Sequence, residues 1–552
     1  MGKLFREFND EKWEQVRTHP YYAKLREGVA KKTEEYLATE PPRVKFSHIH
    51  MFATTGNRTV FQSVFNDYSS RMTHYFFMYL LTNDEKYIEP LADIMWNIMD
   101  FETWTIPAHV REELPEEARK RFLDLTSTIM AFRISEIVYF IGDKLPELVT
   151  KRAKYEVRYR LIDSFKNYKG GWLTVKNNWA AVCCGATLAT YLYAAEKEEI
   201  EEQLPRLMEG INSYLSGIDD DGCCLEGNGY WNYGFSHFCL FASMLRDYTD
   251  GEIDLFKLPK AHAIAKFQQN AAINERQTIS FSDAGQVFSP SGWLSHFLKN
   301  EYPDIEIPSI PPASGGPVLR YVLWQDPELA NCKMNPKSKI FHDAQWFIYR
   351  SDAYNFACKG GHNSEPHNHN DVGSFIISKN GKVTFTDPGG GEYTRQYFAA
   401  DTRYSHYCCS SLGHSVPIIN GEAQVVSRNK STVYDEAENR YSFSMEGVYN
   451  IPSLSGLKRS VICEVDGVTL TDEYTFTEKP ESVVERFVSL TEITVEGSCA
   501  VCGDTTLIFD ADTVEATVST LTLERPTTNT LWVIDLKVKN PEESIKLNFK
   551  FI

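Results

Sequence analysis

Histidine is concentrated in one stretch of this chain. Of 14 histidines, five lie in the 53 residues from His362 to His414, where an even spread would place about 1.3. The centre of the cluster is GGHNSEPHNHNDVGSF, residues 360–375, followed by Asp387 in TDPGGGEYTRQYF and His414 in GHSVPIING. In a strand, His367, His369 and Asp371 would share one face; in a loop they would diverge. Two histidines and one aspartate drawn from three segments make a workable zinc ligand set with a position left open for water. A lone histidine would be read as a packed core residue. HNHND with Asp and His downstream points to a site instead, against the plainer alternative of a His/Asn-rich surface loop.

The first half offers two further clusters. Asn177-Asn178-Trp179 stands at a helix start, where Asn commonly serves as an N-cap. EGNGYWNYGFSH, residues 226–237, places Tyr230, Trp231 and Tyr233 after a glycine-rich turn; ordinary aromatic packing accounts for it equally well. Arg71 and His74 share a helical face, and Glu102, Trp104 and His109 lie close together in FETWTIPAH. These line a cleft or simply pack.

The remaining signals are exclusions. No GxSxG elbow, P-loop or HExxH is present, and no stretch shows a paired set of catalytic carboxylates. The 552 residues carry a net charge of −18, which argues against a nucleic-acid partner, though a local basic cleft can still take an anionic ligand. Twelve cysteines include the neighbours Cys183-Cys184, Cys223-Cys224 and Cys408-Cys409. Adjacent cysteines bridge poorly, so reduced thiols are expected. The single CxxC, Cys499 to Cys502, lacks the second pair that a zinc site needs. There is no apolar leader and no run of about 18 apolar residues, so neither a secretory signal nor a membrane partner is expected, and the localisation expected is cytoplasmic. A homo-oligomer is left open.

The elements that carry these residues differ between the two halves. Apolar residues recur at helical spacing over 85–102 (Ile88, Leu91, Ala92, Met95, Ile98, Met99), from Leu123 to Ile141, after Asn178, and near 203–216 and 235–247. Successive amphipathic helices without intervening strands suggest a helical array or toroid. The proline-rich segment 303–317 reads as a link near a domain boundary, with a short helix at Val318 to Trp324. From about residue 338 the period changes to two, in WFIYR, YNFACKG, GSFIISKNGKVTFTD, STVYDEA, RSVICEV and VTLTDEYTF, with Asn380-Gly381 as a hairpin turn. Short strands at this spacing predict an antiparallel sandwich.

HNHNDVGSF, DPGGGEY and GHSVPIING, with NNW and EGNGYWNYG earlier in the same order, resemble the heparinase II/III-like polysaccharide lyases. The resemblance spans about residues 70–430. It implies an α+β multidomain fold, with an incomplete (α/α) toroid over 1–330 followed by an antiparallel β-sandwich over 331–552. It also implies β-elimination on a uronic-acid glycan, with glycosaminoglycan favoured over alginate, so the expected partner is an acidic glycan. By the same resemblance Asn178 binds the sugar carboxylate, Tyr233 is the acid and also a base, His367 neutralises charge or acts as base, and Tyr404 is a second active-site tyrosine. His406 is an ambiguous neighbour of Tyr404. His369, Asp387 and His414 correspond to ligands of a divalent metal, Zn2+, in a mainly structural role. Trp179, Tyr230, Arg71, His74 and Trp104 are the candidate substrate contacts. Some relatives carry His where this chain has Trp179, which removes a base on that side and offers a ring to stack on sugar. A free tyrosine titrates near 10, so a basic Tyr233 requires nearby positive groups to depress it. The competing readings are a glycoside hydrolase on a helical toroid and a non-catalytic glycan-binding protein.

Overall fold

The computed structural model describes residues 4–6, 8–287, 291–310, 317–525 and 530–552. It divides into two compact units. The first is Met1–Ile218, Trp231–Ala265 and Pro290–Lys333; the second is Asp219–Tyr230, Lys266–Ser289 and Met334–Ile552.

The first unit is the expected helical toroid domain. Helix Asn178–Ala194 is apolar all round and buried from Ala180 to Leu192, which makes it an inner helix. It packs against Leu125–Ile141 and Lys197–Ser216, while Thr59–Thr82 packs against Ala23–Leu37 and Ile88–Asp100. Local chemistry sets the helix ends. Asp124 caps Leu125–Ile141 in a reciprocal box with Ser127. Asn83 and Asp84, between two helical segments, divide the work of ending one and starting the next. Asn83 closes Thr59–Thr82 in a left-handed conformation (φ 53°), and the Asp84 side chain accepts from the Lys86 amide of the following turn. The short helix after the proline-rich link is Leu319–Leu323; within that link, residues 311–316 lie outside the described residues. No helix among the described residues is long and apolar enough to cross a membrane.

The second unit is antiparallel β. Strands β1 (Lys339–Phe341), β2 (Trp346–Arg350), β3 (Tyr354–Lys359), β4 (Phe375–Lys379) and β5 (Lys382–Phe385) form a five-stranded meander. Asn380 and Gly381 join β4 to β5 at φ 51° and 75°, the two left-handed positions of a type I′ turn. Eight further strands form a second sheet in the order 493–496, 499–502, 505–508, 544–551, 467–476, 454–464, 440–444, 433–437. A four-stranded sheet follows the order 514–522, 530–538, 483–489, 418–419. Phe347, Phe375, Tyr441, Val461, Leu470, Phe487, Leu536 and Phe549 belong to one continuous core shared by the three sheets.

The domain boundary predicted at 330/331 falls at 333/334, and two earlier segments, 219–230 and 266–289, group with the β unit. Periodicity cannot reveal this, because both segments are mostly irregular: the described residues of 266–289 carry the one-turn helix Phe267–Asn270 and isolated bridges such as Gln277 to Val287. All twelve cysteines are free and ten are buried. Cys499 and Cys502 lie three apart on one strand and therefore point to opposite faces, which removes the pair as a metal clip.

Candidate functional site

In the β unit the HNHND segment is a loop between β3 and β4, so the strand geometry considered for His367, His369 and Asp371 does not occur. The loop still gathers the predicted ligands. One ligand atom each from His369, Asp387 and His414 lie within 4.8 Å of one another, and all three residues are buried. His369 Nε2 is 3.0 Å from Asp283 Oδ1, and His414 Nδ1 is 2.8 Å from the Ser410 carbonyl oxygen. Both acceptors fix the ring proton on the nitrogen facing them. The remaining nitrogens, His369 Nδ1 and His414 Nε2, then face each other as lone pairs at 3.3 Å, with Asp387 Oδ2 3.4 Å from His414 Nε2. Two opposed lone pairs beside a carboxylate repel unless a cation lies among them, so the donor set fits zinc. Burial alone would raise the Asp387 carboxyl, yet the surrounding His414 and His369 and the Gly389 amide hold it below its ordinary value. Asp371 is not a member of the trio; it forms a buried ion pair with Lys359 at 2.8 Å.

The sandwich core holds this loop. Arg459, fully buried, pairs with Asp472 and Glu485. Its Nη1 donates to the carbonyls of Gly373 (2.7 Å) and Ser415 (2.9 Å), which flank His369 and His414 in sequence. The glycine run after Asp387 seats a second loop. A Cβ on Gly389 would meet the Ala284 carbonyl oxygen at 2.2 Å, and one on Gly390 would meet the Asp283 carbonyl oxygen at 3.1 Å. Only glycine lets the 280–285 loop approach so closely.

That approach places Asp283 under His367. The His367 Nδ1–H donates to Asp283 Oδ2 at 2.6 Å. Its Nε2 is 3.6 Å from Glu226 Oε2. The Tyr230 hydroxyl is 2.7 Å from the Tyr393 hydroxyl and 3.4 Å from His367 Nδ1. The Tyr393 and Phe398 rings stack on and abut the imidazole. His367 has φ 56°, a left-handed conformation that costs a non-glycine residue energy and persists only where surroundings enforce it. Burial raises the Glu226 carboxyl while His367 pulls it down less strongly. Against its own burial, Asp283 is held far below the usual carboxylate range by hydrogen bonds from His367 and His369 and by Arg403. Tyr230 and Tyr393 are both pushed up by burial.

In the helical unit the capping role falls to Asn177, whose side chain accepts from the Trp179 amide at 3.1 Å. Asn178 is thereby left as the first helical residue. It lies beside the Tyr233 helix: a Cβ on Gly234 would be 3.1 Å from Asn178 Cβ. Trp179 packs on the His109 ring at 4.7 Å, and His109 is held by Asp124 at 2.7 Å. Tyr233 opens onto a cavity of about 110 Å³ with Arg133, Ser236, His237 and Tyr321. The expectation that neighbouring cations depress Tyr233 is not met. Burial pushes its hydroxyl up and outweighs the opposing charge of Arg133, so it is held protonated. His237, whose ring nitrogen meets the Tyr233 carbonyl at 2.9 Å, is lowered to about 4 by burial.

Three predicted substrate contacts have packing roles instead. Arg71 is 4% exposed and donates to Asp67, to the Thr39 hydroxyl and to the carbonyls of Tyr36, Thr39 and Glu40. His74 is buried against Tyr36 and the Ser70 carbonyl. Trp104 is 1% exposed and donates to the Ile98 carbonyl, so no ring face remains for sugar. Tyr404 donates to Asn368 at 2.9 Å, one residue from His369, and His406 pairs with Glu524. The tyrosines beside His367 are Tyr230 and, in place of Tyr404, Tyr393, which lies in the quoted DPGGGEY string without having been singled out. Asp283, Glu226, Tyr393 and Tyr397 were missed. The one signal for Asp283 was the glycine run that receives its loop.

Residues 333–470 match the family model described as heparinase II/III-like, C-terminal. Among curated protein sequences none matches the chain. Similar solved structures include heparan sulfate lyase HepC from Pedobacter heparinus, as a mutant (12% identity, 100% of this chain and 92% of that chain, TM-score 0.62). A heparinase III gives 12% identity over 99% of this chain and 92% of that chain, with TM-score 0.63. Chondroitin AC lyase from Streptomyces coelicolor A3, in complex with chondroitin sulphate, gives 10% identity over 98% and 82%, with TM-score 0.57. At these identities the likeness speaks for the fold, a toroid followed by β-sheets. Over residues 333–470 the resemblance read from the sequence is matched by the heparinase II/III-like, C-terminal, family model.

Proposed function

We propose that the chain is a polysaccharide lyase that cleaves uronic-acid glycans by β-elimination, glycosaminoglycan type before alginate type. The observation that carries this reading is His367, held in a strained backbone between Asp283 and Glu226 with Tyr230 and Tyr393 around it. The family match over 333–470 covers that loop, and the heparan sulfate and chondroitin lyases of the same fold support the substrate class.

In this reading the hydrogen on the carbon next to the uronate carboxylate leaves as a proton. Its electron pair forms a double bond to the neighbouring carbon, and the glycosidic oxygen departs from that carbon and takes up a proton. With Nδ1–H committed to Asp283, His367 keeps its Nε2 lone pair for the first proton. Tyr233, held protonated by burial, supplies the second. Asn178 donates to the uronate carboxylate, which stabilises charge spreading onto that group in the transition state. Zinc, held by His369, Asp387 and His414, would supply charge that fixes the loop; no proton transfer is assigned to it.

A hydrolase needs two available carboxylates. Glu226 and Asp283 both flank His367, but the Asp283 side chain is fully buried and both its oxygens are already bonded, so it is not free to serve. The test is ultraviolet absorbance during incubation with a panel of uronic-acid glycans, comparing wild type with Tyr233→Phe. Elimination leaves a conjugated double bond, so absorbance should rise with wild type and not with the variant. New reducing ends without absorbance would replace the lyase with a hydrolase.

A further inference from the structure

We propose that Asp283 is a positioning residue that orients two histidines with one carboxylate, His369 for the metal and His367 for proton removal. Its catalytic half rests on the lyase reading; its metal half does not.

The division of labour between the two oxygens carries the proposal. Oδ1 accepts from His369 Nε2–H at 3.0 Å and from the Tyr397 hydroxyl. Oδ2 accepts from His367 Nδ1–H at 2.6 Å. Arg403 Nη2 spans both, at 3.4 and 3.3 Å. A carboxylate offers about four lone-pair sites, and here they are filled by groups that leave no freedom of rotation. The side chain is fully buried, so water does not compete for these sites. Fixing the proton of His369 on Nε2 directs Nδ1 to His414 and Asp387. Fixing the proton of His367 on Nδ1 leaves Nε2 as its free nitrogen. Because His367 holds a left-handed backbone, its ring needs such an external anchor. Metal occupancy and the orientation of His367 are therefore coupled through one side chain. An anchor that merely tied the 280–285 loop down would need neither oxygen to choose a particular ring nitrogen.

The test uses the full chain, Zn2+ as the probe, and Asp283→Asn, which places an amide where one carboxylate oxygen stood. Zinc affinity, measured by competition with a chromophoric chelator, should fall about ten- to hundredfold. With zinc saturating, kcat on a glycan that wild type cleaves should fall about tenfold or more while KM stays within about twofold, because ring orientation matters in the transition state and not in ground-state binding. Unchanged zinc affinity, or unchanged kcat at saturating zinc, would overturn the proposal. Should the variant fail to fold, nitrogen NMR of histidine-labelled, zinc-loaded wild type decides. His367 should carry its proton on Nδ1 and His369 on Nε2, with signals identified through His367→Gln and His369→Gln. The opposite tautomer at either ring overturns the assignment. Failure of the lyase reading registers separately, as wild type silent in absorbance, while zinc affinity and the two tautomers still decide the role of Asp283.

Discussion

Glu136→Gln should make the helical unit more stable at alkaline pH and leave it nearly unchanged in acid. Glu136 lies on helix Leu125–Ile141, buried to 5% exposure. Burial raises its carboxyl from 4.5 to about 7, although the charges of Arg320 and Arg133 and the Tyr193 hydroxyl pull the other way. The folded chain therefore binds this proton more tightly than the unfolded chain does. The stabilisation is complete below pH 4.5 and is lost as pH rises through 7. The gap corresponds to about 3 kcal/mol between the two limits. Glutamine keeps the shape and carries no titrating group, so any fixed cost of the substitution cancels when its effect at pH 8.5 is compared with that at pH 4. The assay is guanidinium unfolding followed by helical circular dichroism, wild type and variant side by side across that range. The stability difference, variant minus wild type, should climb by about 3 kcal/mol, with its midpoint between 4.5 and 7. A difference that stays flat with pH would refute the reasoning, since Glu136 would then titrate alike in both states.

Three other outcomes are expected. Arg459→Met strands Asp472 and Glu485 in the sandwich core and should cost about 3–5 kcal/mol, read as a lower denaturant midpoint of the β unit; it should also weaken zinc retention, because Arg459 holds Gly373 and Ser415. Chelation should lower the thermal midpoint more than it slows turnover at low temperature, since zinc at about 1,000 times its Kd is worth about 4 kcal/mol to the folded state; equal midpoints with and without chelator would remove the structural role. Gly234→Ala puts a methyl group 3.1 Å from Asn178 Cβ and should cut kcat about tenfold by displacing the amide, while the helix itself gains up to about 1 kcal/mol from the lost glycine; unchanged kcat would separate Asn178 from the chemistry.

Much of the fold is legible because period is local. Helical spacing marked Ile88–Asp100 and Leu125–Ile141, and alternation marked the strands from Trp346 onward. The clustering of His369, Asp387 and His414 is legible for a related reason: HNHND, Asp387 and His414 are unusual in type and close in sequence. The errors arise where composition is ambiguous. Arg71, His74 and Trp104 have side chains that both bind and pack, and only burial with satisfied donors shows that here they pack. Tyr404 and Tyr393 lie 11 residues apart in a tyrosine-rich loop, and no periodicity says which one turns toward His367.

Asp283 illustrates a deeper limit. It lies 84 residues before His367, in a segment with neither helical nor strand period, and its chain neighbours carry no metal-site motif. What betrays it is negative space. DPGGG has three glycines where a ligand loop needs at most one for its turn, and a glycine run without flexibility to justify it implies a second backbone pressed against it. That argument shows where something must dock without showing what docks. A carboxylate is nevertheless strongly constrained by the site itself. In the proposed reading His369 would present Nδ1 to a metal, so its Nε2–H needs a buried acceptor, and His367 two residues away would keep one nitrogen free, so its other N–H needs one too. Two buried donors facing the same space call for one acceptor-only group with two oxygens. The chemistry of the legible residues thus demands an aspartate or glutamate from elsewhere in the chain, and the fold answers with Asp283.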